Sequence, residues 1–172
     1  MAVAQIILCF IEMTTVLSEG DIGPLATDSY GNLYCALSNK KAIRKVTFRF
    51  NDKPLVSDIE LSSEAAYRDA QGLCVASNGD LFVTDRMHCV RQISSDGCAL
   101  LHAALLLTAL ASKLLNRFGC MRPCLKDDTA AQAGFCNPLG IAVNADGTVF
   151  IADAANNAIR SISHASGAHL LR

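Results

Sequence analysis

The sequence predicts an all-β chain made of β-propeller blades, about three of them, with one inserted helix. Three observations carry that reading. A segment of about a dozen residues recurs at 24–36, 72–84 and 140–152. Each copy turns at a glycine, Gly31, Gly79 or Gly147, and then runs apolar. Each is followed by a shorter echo: Ile43-Arg44-Lys45-Val46-Thr47, Val90-Arg91-Gln92-Ile93-Ser94 and Ile159-Arg160-Ser161-Ile162-Ser163. Repetition at a period of tens of residues marks a solenoid or a propeller.

Residues 1–22 form an apolar N-terminal segment centred on Ile6–Ile11. Its first charge is the acidic Glu12, where a secretory signal requires a positive start. The apolar run is also shorter than the ~20 residues that span a bilayer, so no membrane span is expected. Thr14–Leu17 reads as a short outer strand ahead of the first repeat.

The blades occupy 23–172, with repeats at 23–47, 71–94 and 139–163. Tyr30-Gly31, Asn78-Gly79 and Asp146-Gly147 mark hairpins, because glycine accepts the positive φ that tight turns need. The runs after them, such as Leu81-Phe82-Val83 and Val149-Phe150-Ile151, are branched or aromatic and suit buried strands. The Ile/Val-Arg echo supplies a third strand with alternating faces, and a more variable fourth completes a blade.

Gly31 and Gly79 lie 48 residues apart, one blade, whereas Gly79 and Gly147 lie 68 apart. The excess falls at 98–118, which is rich in Ala and Leu and, Thr108 apart, free of β-branched residues through 99–117. That composition favours helix, and its nearly uniform apolarity suits a helix covered by something. The core of the insert is too short to cross a membrane, and His102 and Lys113 bracket it.

The 172 residues are 51% apolar, lack tryptophan and carry a net charge of −1. The length suffices for one domain with a sizeable core. The charge balance removes any general electrostatic affinity for nucleic acid or an anionic membrane. Eight cysteines occur without a Cys-x-x-Cys pair. Cys35 stands where the sister repeats have Val83 and Ile151, and Cys74 where they have Ala26 and Ala142, so both read as small buried side chains. Free thiols in a reducing compartment follow, which points to the cytoplasm.

Several residues invite chemistry. Asp85 and Asp153 share one slot after the second strand. They are either carboxylates facing a channel or acceptors for turn backbone that pair with Arg91 and Arg160. Recurrence in successive blades favours the structural role, since a catalytic group is needed once. Lys40, Lys41, Arg44, Lys45 and Arg49 form a local basic cluster, the candidate binding patch. Alternation puts Lys41 and Lys45 on a solvated face, and no aromatics interleave, so RNA binding is the weaker reading. Cys120 and Cys124 have a zinc-like spacing with Cys98, Cys136 and His102 nearby, yet a second pair is missing. His88, His102, His164 and His169 are scattered, with no nucleophile elbow and no phosphate loop. No metal site or cofactor is expected.

The repeats resemble NHL repeats. The likeness is carried by Asn137-Pro138, Gly140-Ile141, Asp146-Gly147, Phe150-Ile151-Ala152-Asp153, Asn156-Asn157 and Ile159-Arg160. The second copy keeps Gly72, Asn78-Gly79, Phe82-Val83-Thr84-Asp85 and Val90-Arg91. The first departs most, with Leu37 in the Asp slot. The stretch Gly119–Phe135 is similar to the acidic, Gly/Ala-rich approach that precedes such blades. The resemblance implies a six-bladed propeller of NHL/TolB-like type, usually a binding platform. Its members include protein- and RNA-binding modules and a few enzymes, such as the peptide-amidating lyase. Three blades do not close such a ring, so the chain is expected to be incomplete, to assemble with another copy, or to expose its terminal faces. The expected function is a non-catalytic binding or scaffold module presenting loops to a protein partner. The alternatives are a truncated, metal-dependent propeller enzyme of lyase or lactonase type, and an RNA-binding module.

Overall fold

The computed structural model describes residues 22–37, 42–49, 53–61, 66–94, 117–119, 122–128 and 133–163. The apolar segment before Ile22, the insert through residue 116, and Lys40 and Lys41 lie outside them. The regular structure of the described residues is three antiparallel sheets and one 3-10 turn. The first orders β1 (Ile22–Thr27), β2 (Leu33–Leu37), β3 (Ala42–Thr47) and β4 (Leu55–Glu60). The second orders β5 (Ala70–Val75), β6 (Leu81–Asp85), β7 (Cys89–Ile93) and β8 (Arg117–Phe118). The third orders β9 (Pro138–Val143), β10 (Val149–Asp153) and β11 (Ala158–Ile162), with a 3-10 turn at Ala154–Asn156.

Each sheet is a propeller blade whose strands follow one another in chain order. Two boundaries differ from the sequence expectation. Ile22 belongs to the first strand rather than to the segment before it. Arg117 and Phe118, inside the range expected to be helical, are strand residues paired with Arg91 and Val90. Paired as a strand, they give partners to backbone groups on the outer edge of β7.

Alternation decides which side chains meet. Leu73, Val75, Leu81, Val83 and Ile93 of the second sheet bury against Tyr34, Ala36 and Ile43 of the first. The opposite face of the second sheet, with Cys74, Phe82 and Val90, packs on Val149, Ile151 and Ile162 of the third. Covered on both faces, β6 and β7 are buried along their whole length. The inner strands form a series in which β1 packs on β5 and β5 on β9. Blades converge there, and Gly72 shows how closely. A Cβ at Gly72 would overlap the Leu139 carbonyl oxygen and come within 2.9 Å of the Thr84 hydroxyl. That hydroxyl donates to the same carbonyl at 2.6 Å.

Tyr67 and Phe135 each stand five residues before the glycine of β5 or β9, Gly72 or Gly140, and both are fully buried. Tyr67 fills the core between the first two sheets, and its hydroxyl donates to Ala42 O at 2.6 Å. Phe135 fills the core between the second and third.

The three hairpins share one geometry. The N–H groups of Gly31, Gly79 and Gly147 donate to Asp28 O, Ala76 O and Asn144 O at 3.2, 2.9 and 3.1 Å. Their φ values are +81°, +88° and +86°, while the positive-φ non-glycine residues among those described are His88, Asn137 and Asn157. Asn78 and Asp146 therefore keep negative φ. The turns are type I followed by a left-handed glycine, the three-residue loop, and not the mirror-image turn that Asn-Gly often makes.

Candidate functional site

The repeated carboxylates and arginines meet in pairs at one end of the blades. Asp85 is fully buried at the end of β6. It accepts from Arg91 Nε at 2.8 Å and from the backbone N–H groups of Arg68, Asp69 and Met87 at 3.2–3.3 Å. Asp153 ends β10 in the same way, accepting from Cys136 N–H at 2.7 Å, Asn156 Nδ2 at 2.8 Å and Arg160 Nη1 at 3.1 Å. Each carboxylate thus ties the approach to its own sheet to the turn that follows β6 or β10.

Arg160, also fully buried, carries the tie further. Nη1 donates to Gly134 O at 2.9 Å, and Nη2 to Lys126 O and Asp127 Oδ1 at 2.9 and 2.6 Å. Its guanidinium lies 5.3 Å from the centre of the Phe135 ring, a cation–π contact. Only its Nε, among buried side-chain polar atoms of the described residues, lacks a partner. In the first sheet Leu37 cannot play the acid, and Arg44 pairs instead with Asp58 on β4, Nε–Oδ1 at 2.6 Å and Nη2–Oδ2 at 2.8 Å. That two-pronged bond is the strong form of an arginine–carboxylate contact.

The braced loops share one end, because the turn after β6 reaches the approach to β9: Asn137 N–H donates to His88 Nδ1 at 3.0 Å. Around this buried frame stand exposed groups of both signs. Arg86 pairs with Asp69 at 3.1 Å while 70% of its side chain is exposed. Arg68, Leu125, Lys126 and Asp127 are exposed as well. The glycine hairpins occupy the opposite end, with Tyr30 88% exposed at one tip.

The basic cluster read from the sequence is divided by the strand. Arg44 is buried and engaged by Asp58. Lys45 points to the other face, its Nζ 5.3 Å from the centre of the Tyr34 ring. Arg49 is exposed beyond β3. Cys35 and Cys74 are buried, and burial pushes both thiols above their ordinary range, Cys74 to about 12. Of the zinc-like set, Cys98, His102 and Cys120 lie outside the described residues.

Sequence reasoning missed Asp58, Tyr67, Thr84, Asp127 and Phe135. A signal existed for Tyr67 and Phe135, which hold equal offsets from Gly72 and Gly140. None existed for Asp58 and Asp127, whose positions have no counterpart in the other repeats.

Among solved structures, the chain is similar to a protein of unknown function from Bacteroides thetaiotaomicron, at TM-score 0.58 and 20% identity, covering 85% of this chain and 34% of that one. A streptogramin B lyase matches at TM-score 0.54 and 14% identity, over 88% of this chain and 40% of that one. A catalytically inactive virginiamycin B lyase from Staphylococcus aureus, solved with quinupristin, matches at TM-score 0.54 and 17% identity, over 90% and 41%. The chain therefore spans 34–41% of the length of these neighbours. At such identities the likeness shows the fold alone. No curated protein matches the sequence. The profile of a family described as the Teneurin NHL domain matches residues 32–163.

Proposed function

The chain belongs to the Teneurin NHL domain family, and on that premise we propose that it is a non-catalytic binding module whose braced loop end docks a protein partner. One observation carries the reading. The ionisable groups that recur, Asp85 with Arg91 and Asp153 with Arg160, are buried and bonded to the backbone of the loops. Their chemistry is used to hold 66–69, 86–88, 122–128 and 133–137 in place. What faces outward is a preorganised surface of mixed charge with Leu125 among it, the composition of a protein-docking rim. Holding loops rigid before contact lowers the ordering cost of binding.

A photoreactive residue placed at Arg86 or at Leu125 tests this, with Tyr30 at the opposite end as control. The expected result is one recurring protein adduct from the first two sites and none from Tyr30. Arg86→Glu, at an exposed position, should weaken capture while the unfolding free energy holds within ~0.5 kcal/mol. Turnover of a streptogramin B by the chain, or salt-sensitive binding to single-stranded RNA, would contradict the reading.

A further inference from the structure

The bond that joins the second and third sheets across the loop end has an imidazole as its acceptor. Asn137 N–H donates to His88 Nδ1 at 3.0 Å. A backbone N–H only donates, so Nδ1 holds a lone pair, the ring proton is on Nε2 and the ring is neutral. His88 is the only histidine among the described residues, and there Asn137 is its ring's one hydrogen-bond partner. Both residues are half-buried and both hold left-handed backbone, at φ +57° and +52°. His88 stands directly before β7, as Asn157, at φ +51°, stands directly before β11. Asparagine therefore serves this turn as well. What the imidazole adds is a lone pair that a proton can take near neutral pH.

We propose that His88 is a proton-operated latch on the loop end: neutral, it ties the turn after β6 to the approach to β9, and protonated it releases that approach. Imidazolium carries N–H on both nitrogens, so the protonated ring turns a donor towards the Asn137 N–H and the bond is lost. The tie is thus complete at pH 7.5 and above and fails as the pH falls through the range in which imidazole charges. The turn stays in place meanwhile, because Gly119 lies against it; a Cβ there would come within 2.9 Å of the His88 carbonyl oxygen. Other titratable or charged groups on the elements about the ring are Asp85, Arg86, Cys89 and Arg91 of the second sheet and Cys136 and Asp153 of the third. Arg91 holds Asp85 at 2.8 Å, Arg160 holds Asp153 at 3.1 Å, and Arg86 pairs with Asp69. Each carboxylate around the latch already has its cation, and none is paired with the ring among the described residues. Deeper in, the Thr84 hydroxyl keeps its bond to Leu139 O, so the two sheets stay packed while the loops part. The latch concerns how the loop end is held and stands whether or not a protein docks there.

Amide exchange of the full chain at pH 7.5 and 5.5, corrected for the intrinsic pH dependence of exchange, tests the proposal. Protection of the Asn137 amide should fall about tenfold at the lower pH, the worth of one hydrogen bond. The Gly79 amide, bonded to Ala76 O at the opposite end, should not change. His88→Asn keeps an acceptor oxygen that takes no proton in this range and suits the left-handed backbone, so its Asn137 protection should be the same at both values. A measurement without any substitution follows the ring directly: the 15N shifts of His88 and the amide proton shift of Asn137 should titrate with one midpoint. Unchanged Asn137 protection between pH 7.5 and 5.5 would overturn the proposal. So would an equal fall in His88→Asn, or an Asn137 shift that does not follow the ring.

Discussion

At the residue scale, the fold depends on a few buried polar side chains that have every reason to be costly. A carboxylate such as Asp153 is tolerated inside because Arg160, Asn156 and a backbone N–H meet it. Removing one partner of a buried pair leaves the other charged and unmatched, at a cost of about 3–5 kcal/mol. Asp153→Ala should lower the unfolding free energy obtained from urea titration by that amount, a large share of the total for a domain of ordinary stability. An exposed-pair control, Asp69→Ala beside Arg86, should cost under about 1 kcal/mol. Cys74 gives a pH dependence of fixed sign. Burial holds its thiol at about 12, against 9.0 for an ordinary thiol. The native state therefore keeps this contribution below pH 9 and loses it as pH rises towards 12, because only the unfolded chain ionises. Burial pushes the Tyr67 phenol upward too, adding a loss of the same sign above pH 10. Unfolding midpoints measured from pH 8 to 11 should fall for the native sequence, and less steeply for Cys74→Ala.

At the scale of the element, strands and turns were legible because their signals are local. Three glycines at equal distances from apolar runs place three hairpins, and the Ile/Val-Arg echoes place β3, β7 and β11. The fourth strands were harder to see. β4 carries Ser57, Asp58 and Glu60 among its apolar residues, and β8 is two residues long. The turn type was hidden as well, since Asn-Gly is compatible with two geometries and the choice is made by hydrogen bonds around the loop. At Asp28 those bonds are numerous. Burial raises its carboxyl, and hydrogen bonds from Asn32, Tyr34 and Tyr30 outweigh that and leave it below its ordinary value. The pairing of Asp85 with Arg91 follows from position in the repeat. The pairing of Arg44 with Asp58 follows from a strand register, which no local pattern contained. The candidate loop surface was legible only in outline for the same reason: its residues come from four separate segments, brought together by hydrogen bonds such as that from Asn137 N–H to His88, 49 residues apart in sequence.

At the scale of the molecule, stability should be graded by how many faces each sheet covers. A blade holds its neighbours by both faces, so a sheet with one open face lacks half of its packing. The second sheet is enclosed on both sides, while the third exposes Phe150 and Ile159. Amide hydrogen exchange reports local opening free energies directly. Measured at a concentration where the chain is monomeric, it tests most directly the claim that this is an arc of propeller blades built around its middle sheet. Slowest exchange is expected in β5, β6 and β7, with β9, β10 and β11 opening at clearly lower free energy. Equal protection across the two sheets, or faster exchange in the second than in the third, would contradict that account.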